Sequence, residues 1–548
     1  MLFKKTFKAY IAPAVIIALV AIFGISVAGC KQPVVGIFAV DDDQTDDDGQ
    51  TVVEPAEVAV NYITNGTNWG VSTQANVATL GLFPGNDTTE INLNWYSSGA
   101  ATGKVAHVRF IRGTTTAGYQ LIEEAGTVSA ASSGNTAHKA TVRGLRPGAS
   151  YQYAVSTDGT NWSDAYDFKV PAAGPFKFAV IADPQLNAST WDSLNRYSPR
   201  GGKNTGAGWT ETMEKIVAAG ASFIASGGDQ VDISSGNENE YTLFYAPPGL
   251  RSLPVAPVSG NHDNHLHYNY HYNWPNAQMF ANETNGTQQG RNYFYLYNNV
   301  LFVVLNTGPG QSSTTAAGAS IARFDATLAA AKAAHPVYDW LIVQHHKSTA
   351  SVADHLADTD IQYYVEAGFE RVMSEHGVDF VLAGHDHVYA RSYPLAGRDG
   401  GKVSVPNKAF PAASGSVWNS PGSPVYLTFT TGSGLKYYAV KSDPTSVYAN
   451  TLYVKTNASY PYLGEITGDA EATQYGSAAY LTGLYMPVSN AAYVQPYIPS
   501  YSIVEVSGKS ITFRTYAIAT VSGQVTGAAE AYSFDETVPY DVITVTKN

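Results

Sequence analysis

Between positions 176 and 383 the chain carries six short runs dominated by apolar residues, at 176–182, 222–226, 255–259, 301–306, 340–344 and 379–383. Runs of this length without an alternating polar face suit strands buried on both sides, and three stretches of helical character, at 211–219, 319–334 and 361–376, fall among them. Strands alternating with helices predict a layered α/β domain. The residues just past the strands constrain the chain further. Asp183 and Gln185 come directly after the first run, Asp229 after the second, Asn261 and His262 after the third, His345 and His346 after the fifth, and His385 and His387 after the sixth. Open α/β sheets gather ligands at the carboxyl ends of their strands. A lone Asp in such a place caps a turn and a lone His is a hydrogen-bonded surface or core residue. Oxygen and imidazole donors repeated at successive strand ends predict instead one shared metal site along one edge of the sheet.

Composition sets the surroundings of that domain. With 548 residues, 44% of them hydrophobic, the chain can build two or three cores, and its single cysteine rules out a disulfide framework. Charged residues make up 14%, against roughly 25% in an average soluble domain, while Tyr (37) and Gly (50) are abundant, which suits a β-rich protein outside the cytoplasm. Lys and Arg number 32 against 45 Asp and Glu, so no basic surplus exists to wrap nucleic acid. Lys4, Lys5 and Lys8 precede an apolar run at 12–27, the pattern of a secretory signal. That run closes on Val27-Ala28-Gly29-Cys30, which resembles a bacterial lipoprotein box. The resemblance implies a signal peptide over 1–29 and a lipidated Cys30 that holds the exported chain at a membrane surface of the bacterial cell envelope. Residues 30–72 read as a flexible linker, because Asp41, Asp42, Asp43, Asp46, Asp47 and Asp48 repel one another and lack the Gly and Glu spacing of a calcium loop.

Residues 73–171 alternate apolar and polar positions over short strands, as at 90–96 and 105–110. Gly144-Leu145-Arg146-Pro147 followed by Tyr151-Gln152-Tyr153 resembles the corner of fibronectin type III domains, in the form found at the front of purple acid phosphatases. This predicts an all-β sandwich with Trp95, Tyr151 and Tyr153 in core and corner positions and no chemistry of its own.

The ordered set of strand-end residues resembles the calcineurin-like metallophosphoesterase superfamily over about residues 174–395. The phrases around Gln344-His345-His346-Lys347-Ser348 and Gly384-His385-Asp386-His387 are similar to its purple acid phosphatase branch. The resemblance implies a four-layer α/β/β/α domain over 172–548, with the C-terminal β segment completing its second sheet. It implies two metal ions bridged by Asp229, with Asn261, His346 and His385 at one and Asp183, Gln185 and His387 at the other. His346 is preferred to His345 because it stands three residues after Val343, as in the family's phrase. Gln185 and Asp232 depart from the purple branch, which has Gly and a metal-bound Tyr there, so no purple colour is expected. Asp232 is expected to orient His262, with metal ligation as the alternative; His262 would protonate the leaving oxygen, and His355 is a second candidate donor. Iron, manganese, zinc, magnesium and calcium all remain open as the metals.

The implied activity is hydrolysis of a phosphate mono- or diester by a water that the two cations share and ionise. A nucleotidase or nucleotide-sugar pyrophosphatase uses the same chemistry, and a glycan-binding or adhesive lipoprotein with a vestigial site is the reading from another class. The expected partners are the phosphate-ester substrate and the membrane, with no protein partner. No G-x-S-x-G elbow follows a strand, and no Lys-[ST] follows Gly432-Ser433-Gly434, so covalent serine and P-loop chemistry are excluded. Tyr453, Tyr460, Tyr462, Tyr475, Tyr480, Tyr485, Tyr493 and Tyr497 would rim the pocket or pack a long insertion.

Overall fold

In a computed structural model of the chain the described residues are 61–63 and 77–548, apart from internal stretches of which the longest are 188–204, 398–405 and 439–489; within the last, only the backbone at 453–454 and 464–467 is described. Residues 1–29, Cys30 and the acidic run lie outside them, as do Tyr497 and the side chains from Tyr453 to Tyr485. Tyr493 is buried against Val352, Ala353, Val388 and Ala390, a packing position.

The front body is two antiparallel sheets. Strands Ala78–Pro84, Ile91–Ser97, Thr136–Val142 and Thr127–Ala130 form one, and Asn61–Ile63, Tyr119–Ala125, His107–Gly113, Ser150–Ser156 and Tyr166–Lys169 the other. Their alternating inner residues, among them Leu82, Leu93, Trp95, Val108, Phe110 and Tyr153, make a separate core. The Tyr151 hydroxyl accepts from the Arg146 N–H at 3.1 Å, which pins the turn before its strand. One boundary needs correction. Residues 61–63, read as flexible linker, pair antiparallel with 119–121 as an edge strand, because a sheet edge offers backbone donors and acceptors to any short extended segment beside it.

The second body stacks two mixed sheets. The seven-stranded sheet runs Val255–Ala256, Ile224–Ser226, Phe176–Ile181, Ser500–Ser507, Ser510–Ala517, Asp541–Thr546, Ser416–Asn419. The nine-stranded sheet begins Tyr293–Tyr297, Val300–Val304, Trp340–Lys347, Phe380–Gly384, Val425–Thr428, Tyr389–Ser392. Phe178, Phe223, Phe302, Phe380 and Phe513 pack in the main core, and Leu301, Leu341, Val343 and Val381 pack outward on Ile321, Phe324, Leu328 and Phe369. These last belong to helices Thr314–Ala334 and Phe369–Glu375, while helix Thr205–Ala218 packs on strand Ser500–Ser507 of the other sheet, which gives four layers. The helical pattern at 361–376 divides into Thr359–Glu366 and Phe369–Glu375 at Gly368, whose φ of 93° no right-handed helix can include.

The ligand-bearing strands are therefore split between two sheets, not lined along one. Phe176–Ile181, Ile224–Ser226 and Val255–Ala256 run parallel in the first; Val300–Val304, Trp340–Lys347, Phe380–Gly384 and Val425–Thr428 run parallel in the second. The crossover after 256 carries the chain between sheets, yet both sets end on the same side, where Ala182 bridges Thr431. The C-terminal segment likewise divides, with Val425–Thr428 in one sheet and Ser510–Ala517 in the other. A buried clasp ties the two together: Arg391 Nε and Nη2 donate to Asp541 at 2.7 and 3.1 Å. Both side chains are fully excluded from solvent.

Candidate metal centre

The backbone is the first sign of a site. Among the described residues, eight non-glycine residues have φ in the left-handed region, and five of them are Asp183 (45°), Gln185 (38°), Asp229 (51°), His385 (73°) and His387 (46°). Such conformations cost about 1–3 kcal/mol each and persist only where surrounding structure enforces them. Here they turn side chains back from the strand ends toward a common point. The glycines of the same phrases make room for them. A Cβ on Gly260 would stand 1.9 Å from Asp229 Oδ1, one on Gly384 2.3 Å from Asp183 Oδ2, and one on Gly228 2.4 Å from His346 Nδ1.

Asp183 accepts the His385 N–H at 3.0 and 2.9 Å, and its Oδ1 lies 3.4 Å from His387 Nε2. Asp229 accepts from Gln185 Nε2 at 2.9 Å and from the His262 N–H at 2.8 Å, and its Oδ2 stands 3.2 Å from His346 Nε2. Asn261 Oδ1 is 3.0 Å from the same Nε2. His346 Nδ1 donates to the Gly227 carbonyl at 2.8 Å and His387 Nδ1 to the Lys436 carbonyl at 2.7 Å. Each bond fixes the tautomer that turns Nε2 inward as a lone-pair donor. Donor atoms of Asp229, His346 and His385 all lie within 4.8 Å of one another.

Electrostatics point the same way. Burial works against a proton on His346, but Asp229 and Asp183 outweigh it and push the ring up to about 9. Burial would likewise raise Asp229, yet His346 and His262 hold it well below the usual carboxylate range. The pocket between these carboxylates thus favours positive charge. Two members of the candidate ligand set keep an unused atom: Gln185 Oε1 and His385 Nε2 have no hydrogen-bond partner. Carboxylate, amide and imidazole donors, some unspent, around a pocket that favours a cation fit the chemistry of metal ions bound by oxygen and nitrogen.

The other residues selected from the sequence take different places. His345 points to the opposite face of its strand, against Phe369 at 4.7 Å, and burial drives it down to about 3, so the strand alternation separates it from His346. His262 Nδ1 lies 2.6 Å from the Asp232 backbone carbonyl and 3.3 Å from its carboxylate, so the main chain of Asp232 is the nearer orienting group. Both the carbonyl and the carboxylate of Asp232 thus face His262, and Asn187 Nδ2 donates to the other carboxylate oxygen, Oδ2, at 2.5 Å. His355 stacks on His385 with ring centroids 4.2 Å apart, and its Nδ1 lies 2.7 Å from Asp358.

Several residues that sequence reasoning passed over complete the site. Asp263 is pushed up to about 7 by burial and by the Asp229 charge, and accepts from Gly260 and Gln230 at 3.1 and 3.2 Å, closing the turn that presents Asn261. Asp386, raised by burial, accepts from Ala353 and His355 N–H at 3.0 and 2.9 Å and so holds the loop carrying His355. Both stand beside ligand residues in the Gly-Asn-His-Asp and Gly-His-Asp-His phrases and were legible there. Lys436, 3.4 Å from His262 Nε2, and Tyr438, 4.7 Å from the His355 ring, come from a loop with no such signal.

Comparison with known proteins agrees with this geometry. Residues 176–389 match the calcineurin-like phosphoesterase family, and residues 77–170 match the purple acid phosphatase N-terminal domain. Two uncharacterized proteins of Mycobacterium tuberculosis, from strains CDC 1551 / Oshkosh and ATCC 25618 / H37Rv, are each 24% identical over 345 residues, which is 59% of this chain and 63% of theirs. The chain thus spans less than two thirds of the length of these curated relatives. The structure of purple acid phosphatase PPD1 from yellow lupin seeds shares the fold, with a TM-score of 0.55 at 14% identity, covering 86% of this chain and 75% of that one. Residues 176–389 are thus a calcineurin-like phosphoesterase domain, set behind a purple acid phosphatase N-terminal domain at 77–170.

Proposed function

We propose that this chain hydrolyses phosphate mono- or diesters with two metal ions, one held by Asn261, His346 and His385, the other by Asp183, Gln185 and His387, with Asp229 shared between them. The observation that carries the reading is the convergence of these side chains from two sheets around a buried pocket that favours positive charge. When bound, the ions supply an activated water and the charge that offsets developing negative charge in an in-line displacement. In its protonated form His262 keeps its Nδ1–H on the Asp232 carbonyl, and the Nε2–H would pass its proton to the leaving oxygen, leaving the neutral ring. His355, fixed by Asp358 and by its stacking on His385, orders the same rim. The low charged fraction and the Cys30 box support a chain exported and lipid-anchored at the cell envelope.

The test is metal analysis of the purified protein with turnover of p-nitrophenyl phosphate and bis-p-nitrophenyl phosphate across added manganese, zinc, iron, magnesium and calcium. A metal-dependent rate lost in Asp229→Ala supports the reading, and equal rates for wild type and Asp229→Ala overturn it.

A further inference from the structure

A side-chain ammonium stands against His262: Lys436 Nζ lies 3.4 Å from His262 Nε2. The two atoms are in contact, so an oxygen seated beside Nε2 lies close to Nζ. This is no wandering surface lysine. Its loop is fastened to the turn that carries Asp183: Thr431 Oγ1 donates to the Asp183 carbonyl at 2.7 Å and accepts from Ser433 and Gly434 N–H at 3.2 and 3.0 Å. The Gly432 N–H donates to Ala182, the Gly432 carbonyl accepts from Thr212 at 2.8 Å, and Ser433 Oγ donates to the Pro184 carbonyl. The Lys436 carbonyl itself receives His387 Nδ1 at 2.7 Å. Lys436 is half-buried, and Tyr438, two residues on, packs against His387 at 5.0 Å. The main chain of this loop thus serves the ligand set, while one side chain brings a full positive charge to the mouth.

We propose that Lys436 is a specificity-determining residue that selects phosphate groups carrying two negative charges, and so favours monoesters over diesters. The inference rests on the phosphoesterase reading above. A monoester above its second ionisation, near 6, is a dianion, whereas a diester carries one charge and an uncharged ester arm where the monoester has a third terminal oxygen. An added ammonium attracts the first more strongly, and the second meets it with a group that cannot accept the charge.

The experiment compares wild type, Lys436→Gln and Lys436→Arg, metal-loaded, at about pH 8, well above that ionisation. Turnover of p-nitrophenyl phosphate and bis-p-nitrophenyl phosphate is measured alongside calorimetric titration with inorganic phosphate. Lys436→Gln is expected to lower kcat/KM on the monoester about tenfold or more, mainly through KM, and to weaken phosphate binding by a similar factor. The diester rate should stay within about threefold, and Lys436→Arg should retain the monoester preference. Parallel losses on both esters, or an unchanged phosphate affinity in Lys436→Gln, overturn the proposal. If wild type turns over neither ester with any metal, the phosphoesterase reading fails, and the phosphate titration alone decides whether Lys436 recognises the dianion. Because His387 is held by the backbone of Lys436, neither substitution removes that support.

Discussion

His138 in the front sandwich and His385 in the phosphoesterase body are both buried, and in both burial pushes the ring below its ordinary value, His138 to about 4. Their surroundings differ in what is left to bind. His138 stacks on Trp95 at 5.4 Å, its Nε2 lies 2.8 Å from Ser97 Oγ and its Nδ1 2.8 Å from the Val105 carbonyl, so the ring is fully partnered within its own body. His385 sits on a left-handed backbone, its Nε2 has no partner, and it faces Asp229 and His346. Burial alone thus does not mark a functional histidine. An unpartnered ring nitrogen alone does not either, since both nitrogens of His345 lack a partner; the left-handed backbone of His385 and its place beside Asp229 and His346 set it apart.

That contrast can be broken most sharply at Asp229. Asp229→Asn should cut turnover by about a thousandfold or more, with a modest fall in the metal-free melting temperature because His346 and His262 lose the carboxylate charge they face. A large fall in stability with activity kept would make the cluster a structural network like that of His138. Next in size is His262→Ala, expected to lose about a hundredfold or more on alkyl phosphates and far less on p-nitrophenyl phosphate, whose leaving group needs no proton. A uniform loss would remove its role as proton donor. Metal removal is smaller: at a free ion concentration a hundred times Kd the protein should gain about 2.7 kcal/mol over the chelated form, read as a shift in Tm. His138→Gln should show the same gain, because its ring takes no part in the site.

The smallest effect belongs to His138 itself. Its folded value lies near 4 and its unfolded value near 6.5, so below the latter the unfolded chain binds a proton that the folded chain refuses. Stability present above about pH 6.5 is therefore lost as pH falls toward 4, by about 1–2 kcal/mol once partial solvent screening is allowed for. Denaturant melts of wild type against His138→Gln should show the slope in the first and a flatter profile in the second.

Much of the site was legible in the sequence for a definite reason. A strand buried on both faces must end in a turn, and a turn that ends in Asp, Asn or His beside Gly states both the donor and the space it needs. Gly260 before Asn261 and Gly384 before His385 are that statement, and the coordinates supply the close approach that each glycine permits. His346 over His345 followed from spacing, and the alternation of side chains along one strand explains it. Apolar runs do not say which sheet they join, so the division of the strands between two sheets was hidden in long-range pairing. The edge strand at 61–63 was hidden because three residues carry no pattern. Lys436 was invisible for a similar reason: its place depends on bonds from a loop to the Asp183 turn, some 250 residues earlier, and no local spacing encodes such a meeting.

The Arg391–Asp541 clasp has a consequence for how the enzyme comes into being. All the ligand-bearing strands precede residue 390, but the sheet that holds three of them is completed by strands that follow residue 500. Without Asp541, Arg391 could be buried only as an uncompensated charge, a penalty of about 3–5 kcal/mol, so the core cannot close around it until those strands arrive. The nascent chain therefore exposes its aspartates and histidines to passing ions well before it can enclose them. On the metal-centre reading, an ion would be fully enclosed only once the strands from residue 500 onward have docked.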